Sequence, residues 1–203
     1  MIKVCGITTA EDAAAAVAGG ATAIGFNFYP PGKRYITPQA AARIAAGLPR
    51  AVTRVGVFVN VAPADVERVA ALVPLDVAQL HGDEPPSQAP RTIPFWKAFR
   101  VDESFSTTRL DLYPQAQAFL LDGPAGAEYG GSGKPFVWTL AAASPHRIII
   151  AGGLDASNVR EAIRQARPWG VDACSRIESS PGRKDHRRMS EFLKAALCED
   201  PSV

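Results

Sequence analysis

Eight times along this chain a short run of β-branched and aromatic residues gives way to a longer stretch of mixed polarity. The short runs fall at residues 2–5, 23–28, 54–60, 77–81, 95–101, 118–122, 147–151 and 170–175, and many end in Gly or Pro. That composition and punctuation mark strands. Five of the intervening stretches read as helices. Residues 9–17 start at a Thr cap. Residues 38–46 follow Thr37, with Pro38 at the first position and Gly47 beyond the end. Residues 63–72 carry Val66, Val69, Ala70 and Val73 at helical spacing; Asp155 or Ser157 can cap the stretch ending near 166; Asp185 can cap the last, whose stripe is Met189, Phe192, Leu193, Ala196 and Leu197. The stretches at 85–91, 107–112 and 137–143 are weaker helices. Strict strand-then-helix alternation predicts a parallel sheet. Eight repeats in 203 residues fit a single compact (β/α)8 barrel domain over 1–203. The rival is an open doubly wound sheet.

Composition removes other classes. With 47% hydrophobic residues the chain can fill a core, and 22 basic against 20 acidic residues leave no polyanion footprint. Nucleic acid is therefore not expected as a partner. Residues 183–188, rich in Arg and Lys, read as a solvated loop and helix start. No apolar run approaches the ~20 residues of a membrane span, and the first residues read as a strand without a secretory layout. Cys5, Cys174 and Cys198 lack any paired spacing, which argues against a disulfide framework or a cysteine metal cluster. A reduced, cytoplasmic, cofactor-free protein is the expectation.

Side chains alternate along a strand, so residues two apart share a face. In the first strand Ile2 and Val4 face the helices, and Lys3 and Cys5 point inward. The same count turns Gln79 and His81, Leu120 and Asp122, and Asp172 and Cys174 inward. Strands one and eight become neighbours when the barrel closes, so Lys3 and Asp172 are expected to meet as a buried pair. Cys5, His81 and Asp122 each end a strand, on the rim that carries the active site in such barrels. Thiol, imidazole and carboxylate together form a proton-transfer set. Cys5 can also be a small core residue and His81 a hydrogen-bonded structural one, whereas a carboxylate at Asp122, directly after Phe119-Leu120-Leu121, is costly to bury without purpose.

Glycines cluster after the late strands: Gly130-Gly131-Ser132-Gly133, and Gly152-Gly153 directly after Ile148-Ile149-Ile150-Ala151. Loops after strands seven and eight are the usual phosphate site of these barrels. Gly152, Gly153, Ser175 and Arg176 are the candidates there, although paired glycines also simply make turns. Gly133-Lys134 is no P-loop, because Pro135 stands where Ser or Thr is required.

Lys3-Val4-Cys5-Gly6-Ile7-Thr8, Gln79-Leu80-His81-Gly82, Leu120-Leu121-Asp122, Gly130-Gly131-Ser132-Gly133, Ala151-Gly152-Gly153-Leu154, Gly170-Val171-Asp172 and Glu178-Ser179-Ser180-Pro181-Gly182 together resemble phosphoribosylanthranilate isomerase, in order and from the first residue to about Asp185. The resemblance implies a TIM barrel of tryptophan biosynthesis. It implies an Amadori rearrangement of N-(5-phosphoribosyl)anthranilate to 1-(2-carboxyphenylamino)-1-deoxyribulose 5-phosphate, without metal or organic cofactor. Its partner is a small phosphoribosyl substrate, and its assembly a monomer or homodimer. Cys5 falls at the general base, Asp122 at the general acid, and Arg34 at the arginine that meets the anthranilate carboxylate. Lys3, Gln79, His81 and Asp172 are expected beside the substrate. An acid working near neutral pH must hold its proton, which burial favours. The thiol base needs help to ionise, which Lys3 can give.

Two positions depart from the family pattern. Cys174-Ser175-Arg176 replaces Ser-Ser-Gly, so Arg176 either obstructs a backbone turn or adds a charge-assisted contact to phosphate or carboxylate. Val137 replaces an Asp that caps the following helix. Residues 125–133 can form a lid. The alternatives are a related or bifunctional sugar-phosphate isomerase of histidine biosynthesis, whose paired strand-end aspartates are not seen here, and a non-catalytic phosphate-binding barrel.

Overall fold

The computed structural model describes residues 1–102, 104–123 and 136–198, the last stretch without the side chains of Phe136 and Val137. The chain forms β1 (Ile2–Cys5), α1 (Ala10–Ala18), β2 (Ala23–Asn27), α2 (Pro38–Ala46), β3 (Thr53–Phe58), α3 (Pro63–Leu72), β4 (Val77–Leu80), β5 (Phe95–Arg100), β6 (Ala118–Asp122), α4 (Phe136–Ala143), β7 (Ile148–Ala151), α5 (Val159–Ala166), β8 (Gly170–Ala173), β9 (Glu178–Ser180), β10 (Arg183–Lys184) and α6 (His186–Leu197). Strands β1 to β8 pair in sequence order, all parallel, and β8 returns to β1. The sheet is a closed barrel, so the open doubly wound alternative is excluded.

Alternation sorts the side chains into two layers. Ile2, Val4, Ile24, Phe26, Leu80, Phe119, Leu121, Ile150 and Val171 pack outward under the helices. Ala23, Val55, Val77, Trp96, Ala98, Ala118, Leu120 and Ile149 fill the barrel interior. This leaves the inward residues nearest the C-terminal rim free for polar work. Thr9, Thr37 and Asp185 cap α1, α2 and α6 by accepting from the backbone N–H groups of Asp12, Ala40 and Arg188.

Several expectations need correction. Strands β2, β3, β4, β5 and β8 stop one or two residues earlier than the sequence pattern suggests. After β3 the cause is visible: Asn60 turns to a positive φ of 54° and breaks the ladder. Asn158, not Asp155 or Ser157, sits at the start of α5, because Asp155 Oδ1 is turned back to the Ser157 N–H at 2.8 Å. The two weak stretches after β4 and β5 are 3₁₀ turns at Pro86–Gln88 and Thr107–Leu112, consistent with proline and short length. The basic run is not simply solvated. Lys184 is fully buried, and β9 and β10 form an antiparallel ribbon that the sequence pattern did not signal. The Gly130–Gly133 string, the lid at 125–133 and the side chain of Val137 lie outside the described residues. Among the described residues no helix is long and apolar enough to cross a membrane.

Candidate active site

The C-terminal ends of the strands surround a cavity of about 420 Å³. Cys5 from β1, Asp122 from β6, and Gln79 and His81 from β4 and its end all line it. So do Asp172 from β8, Cys174 and Ser175 after it, Arg176, Arg34, and Gly152 and Gly153 after β7. Of the residues expected from sequence, only Lys3 is absent from the wall. It lies fully buried one layer below, with its Nζ 2.9 Å from Asp172 Oδ2. The parallel register that sets Lys3 against Asp172 makes this pair, as the alternation predicts.

Electrostatics in this layer converge on the Cys5 sulfur. The neighbouring Cys174 thiol, with the positive charge of Lys3 and Lys184, outweighs burial and holds the Cys5 thiol well below its ordinary range. The Cys174 thiol, beside the Cys5 sulfur in a half-buried place, is pushed well up. Burial lifts Asp172 to about 7 despite Lys3 beside it. Burial alone would lower Lys3, but Asp172 and Cys5 hold it above its usual value.

Opposite Cys5 stands Asp122, whose Oδ2 is 3.6 Å from His81 Nε2. Gln79 is buried, and its Nε2 donates to His81 Nδ1 at 2.9 Å. An accepting Nδ1 puts the ring proton on Nε2, facing Asp122. The burial expected of Asp122 is met only in part, since its side chain is 33% exposed. Ala151 is in register with Asp122 at the end of β6, and Gly152 follows it. The φ of Gly152 is +89°, and a Cβ there would collide with the Gly123 carbonyl oxygen. Only glycine lets the loop after β7 close on Asp122. Gly153 also has a positive φ, 65°.

Arg34 is not free. Its Nε donates to both Glu178 oxygens at 2.8 and 3.1 Å, and its Nη2 donates to Oε2 at 2.6 Å. Lys184 Nζ meets the same carboxylate at 3.0 Å. The guanidinium therefore reaches the cavity with two nitrogens already committed, and Nη1 has no partner among the described residues. Arg176 lies in a short 3₁₀ turn at Ser175–Ile177 with no positive φ, so a glycine is not needed for the backbone at this point. It projects onto the rim, half exposed, 3.6 Å from Asp155.

Sequence reasoning left Glu178, Lys184, Asn27, Tyr29 and Arg100 without a role. Asn27 and Arg100 end strands on the inward count, so alternation contained the signal. Glu178 and Lys184 had none.

The description "N-(5'phosphoribosyl)anthranilate (PRA) isomerase" is that of the family model matching residues 2–195. The chain belongs to this isomerase family. A relative named N-(5'-phosphoribosyl)anthranilate isomerase, from Solibacter usitatus, is 59% identical over 196 residues, covering 97% of this chain and 96% of its own. Among solved structures, a phosphoribosyl anthranilate isomerase in complex with reduced 1-(o-carboxyphenylamino)-1-deoxyribulose 5-phosphate is 40% identical with a TM-score of 0.84, covering 96% of this chain and 97% of that one. A structure of monomers generated from a dimeric phosphoribosylanthranilate isomerase of Thermotoga maritima is 39% identical, with a TM-score of 0.84 and coverage of 96% and 97%. The (β/α)8 barrel is thus the fold of this isomerase family.

Proposed function

We propose that this chain isomerises N-(5'-phosphoribosyl)anthranilate to 1-(2-carboxyphenylamino)-1-deoxyribulose 5-phosphate for tryptophan biosynthesis, with Cys5 as general base and Asp122 as general acid. One observation carries the reading: a thiol with a lowered pKa and a carboxyl group face one another across a single cavity, with a glycine-lined recess beside them. The reaction needs a proton delivered to the ribose ring oxygen as the C1–O bond breaks. Asp122 supplies it, and the anthranilate nitrogen forms the imine with C1. A base then removes the proton from C2. Cys5 does this as thiolate, and the product is the enolamine. Ketonisation puts a proton on C1 and releases the one on the C2 hydroxyl.

The other side chains serve these two. Lys3 keeps positive charge beneath the Cys5 sulfur, and Asp172 neutralises Lys3 while bordering the substrate. Gln79 and His81 present an N–H to Asp122 and hold it toward the ring oxygen. The backbone N–H groups of Gly152 and Gly153, with Ser175 and the Arg176 guanidinium, receive the phosphate, since glycines admit close backbone approach to an anion. Arg34 meets the anthranilate carboxylate with the N–H groups that Glu178 leaves open.

The chain works as a monomer or a homodimer; the Thermotoga neighbour, described as dimeric, supports the second. A cytoplasmic location fits three unbridged cysteines, which a reducing compartment preserves. The test is direct. Purified protein added to freshly generated phosphoribosylanthranilate should abolish its anthranilate-type fluorescence, with the histidine-pathway substrate as the parallel sample. No loss of fluorescence, with tight product binding, would make this a binding barrel. Comparable turnover of the second substrate would make it bifunctional.

A further inference from the structure

Cys5 and Cys174 stand on the two strand ends that close the barrel. Val4 pairs with Ala173 across β1 and β8, and Cys5 and Cys174 are the residues that directly follow this last pair. A disulfide accepts a Cα separation of roughly 4.4–6.8 Å, the scale on which the ends of two neighbouring strands stand. Both side chains line the same cavity, near enough that each thiol shifts the other. Neither is sealed off: both are half-buried on the wall of an open mouth that admits small solutes. Gly6, between Cys5 and the Arg34 side chain, leaves room for this contact, because a Cβ there would come within 3.0 Å of the Cys174 sulfur.

We infer that Cys5 and Cys174 are a redox-active pair, and that a hydroperoxide converts them to a disulfide which shuts the site until a dithiol reduces it. The inference rests on the reading of Cys5 as general base. The chemistry balances in two steps. The Cys5 thiolate attacks one peroxide oxygen, the O–O bond breaks, and hydroxide (or alkoxide) leaves; sulfur is oxidised to the sulfenic acid and the peroxide is reduced. Cys174 then attacks the Cys5 sulfur, an S–S bond forms, and the sulfenic oxygen leaves as water with the proton of Cys174. The positive charge of Lys3 and Lys184 favours the Cys5 thiolate in the first step, and in the second Cys174 attacks as its proton passes to the departing oxygen. The Cys174 thiol is also what saves Cys5 from further oxidation, because it resolves the sulfenic acid before a second peroxide can reach it.

A Cys198→Ser background removes the third thiol, which is exposed at the end of α6, away from the site. One equivalent of hydrogen peroxide should then lower turnover ~10²-fold or more, the worth of a positioned base. The intact mass should fall by two hydrogen atoms, and an unreduced digest should yield one peptide joining Cys5 to Cys174. Dithiothreitol should restore both mass and turnover. Adding Cys174→Ser should leave Cys5 to gain oxygen atoms and lose its recovery; if that variant does not fold, the peptide map of the parent decides alone. A mass gain of oxygen with no joined peptide overturns the inference and leaves Cys5 standing as the base. A joined peptide with undiminished turnover overturns both the switch and the role of Cys5.

Discussion

Glu178 grips Arg34 edge-on, with three hydrogen bonds of 2.6 to 3.1 Å between residues 144 positions apart. The same carboxylate takes Lys184, which is fully buried. One acid therefore sets a substrate-facing arginine and neutralises an interior lysine, and burial of Glu178 is outweighed by these two cations, which keep it below the usual glutamate range.

Glu178→Gln should therefore harm both stability and binding. Breaking a buried ion pair by removing one partner costs about 3–5 kcal/mol, which in a domain of this size lowers the melting midpoint by roughly 6–20 °C. Because Arg34 acts on substrate binding, KM should rise more than kcat falls. Thermal unfolding and steady-state kinetics check this; an unchanged midpoint with an unchanged KM would show that the contact is dispensable.

Asp172 should leave a pH signature in stability. Its native pKa is raised to about 7 by burial, against about 3.9 in the unfolded chain. The native state thus holds the extra proton in that window. The contribution is fully present below about pH 4 and is lost as pH rises through 7, at about 1.4 kcal/mol per pH unit. Urea unfolding of the parent and of Asp172→Asn at pH 5 and pH 8 should show the parent's margin over the variant shrinking by about 2–3 kcal/mol. A margin independent of pH would remove Asp172 from this account.

Arg176 offers a cleaner decision. Its backbone needs no glycine, and its side chain lines the same cavity as Gly152 and Gly153. A charge-assisted bond to the substrate from a half-exposed arginine is worth about 1.4 kcal/mol or somewhat more, so Arg176→Gly should raise KM roughly tenfold with kcat near the parent's. A lowered KM would mean that the side chain obstructs the phosphate.

The barrel, its inward and outward faces, and the Lys3–Asp172 pair were legible because strand period and ring closure are local rules applied in sequence. Cys5, His81 and Asp122 were legible for the same reason, as inward residues at strand ends. Glu178 and Lys184 were not. They lie on a two-stranded ribbon too short to show a period, and their meaning depends on Arg34, far away in sequence. Lys184 sat in a run of cations that composition assigns to solvent, yet the ribbon folds it inside. The strand ends were overextended because apolar residues continue past the last ladder bond, where Asn60 and Cys174 leave the strand conformation.

Two proton transfers, one at the Cys5 sulfur and one at the Asp122 carboxyl, make the proposed reaction. Cys5→Ala and Asp122→Asn, each with the parent's melting midpoint, should lose about 10²–10⁴ in kcat for phosphoribosylanthranilate, followed by loss of its fluorescence under saturating substrate. Turnover near the parent's in either folded variant would contradict the assignment of base and acid to these residues.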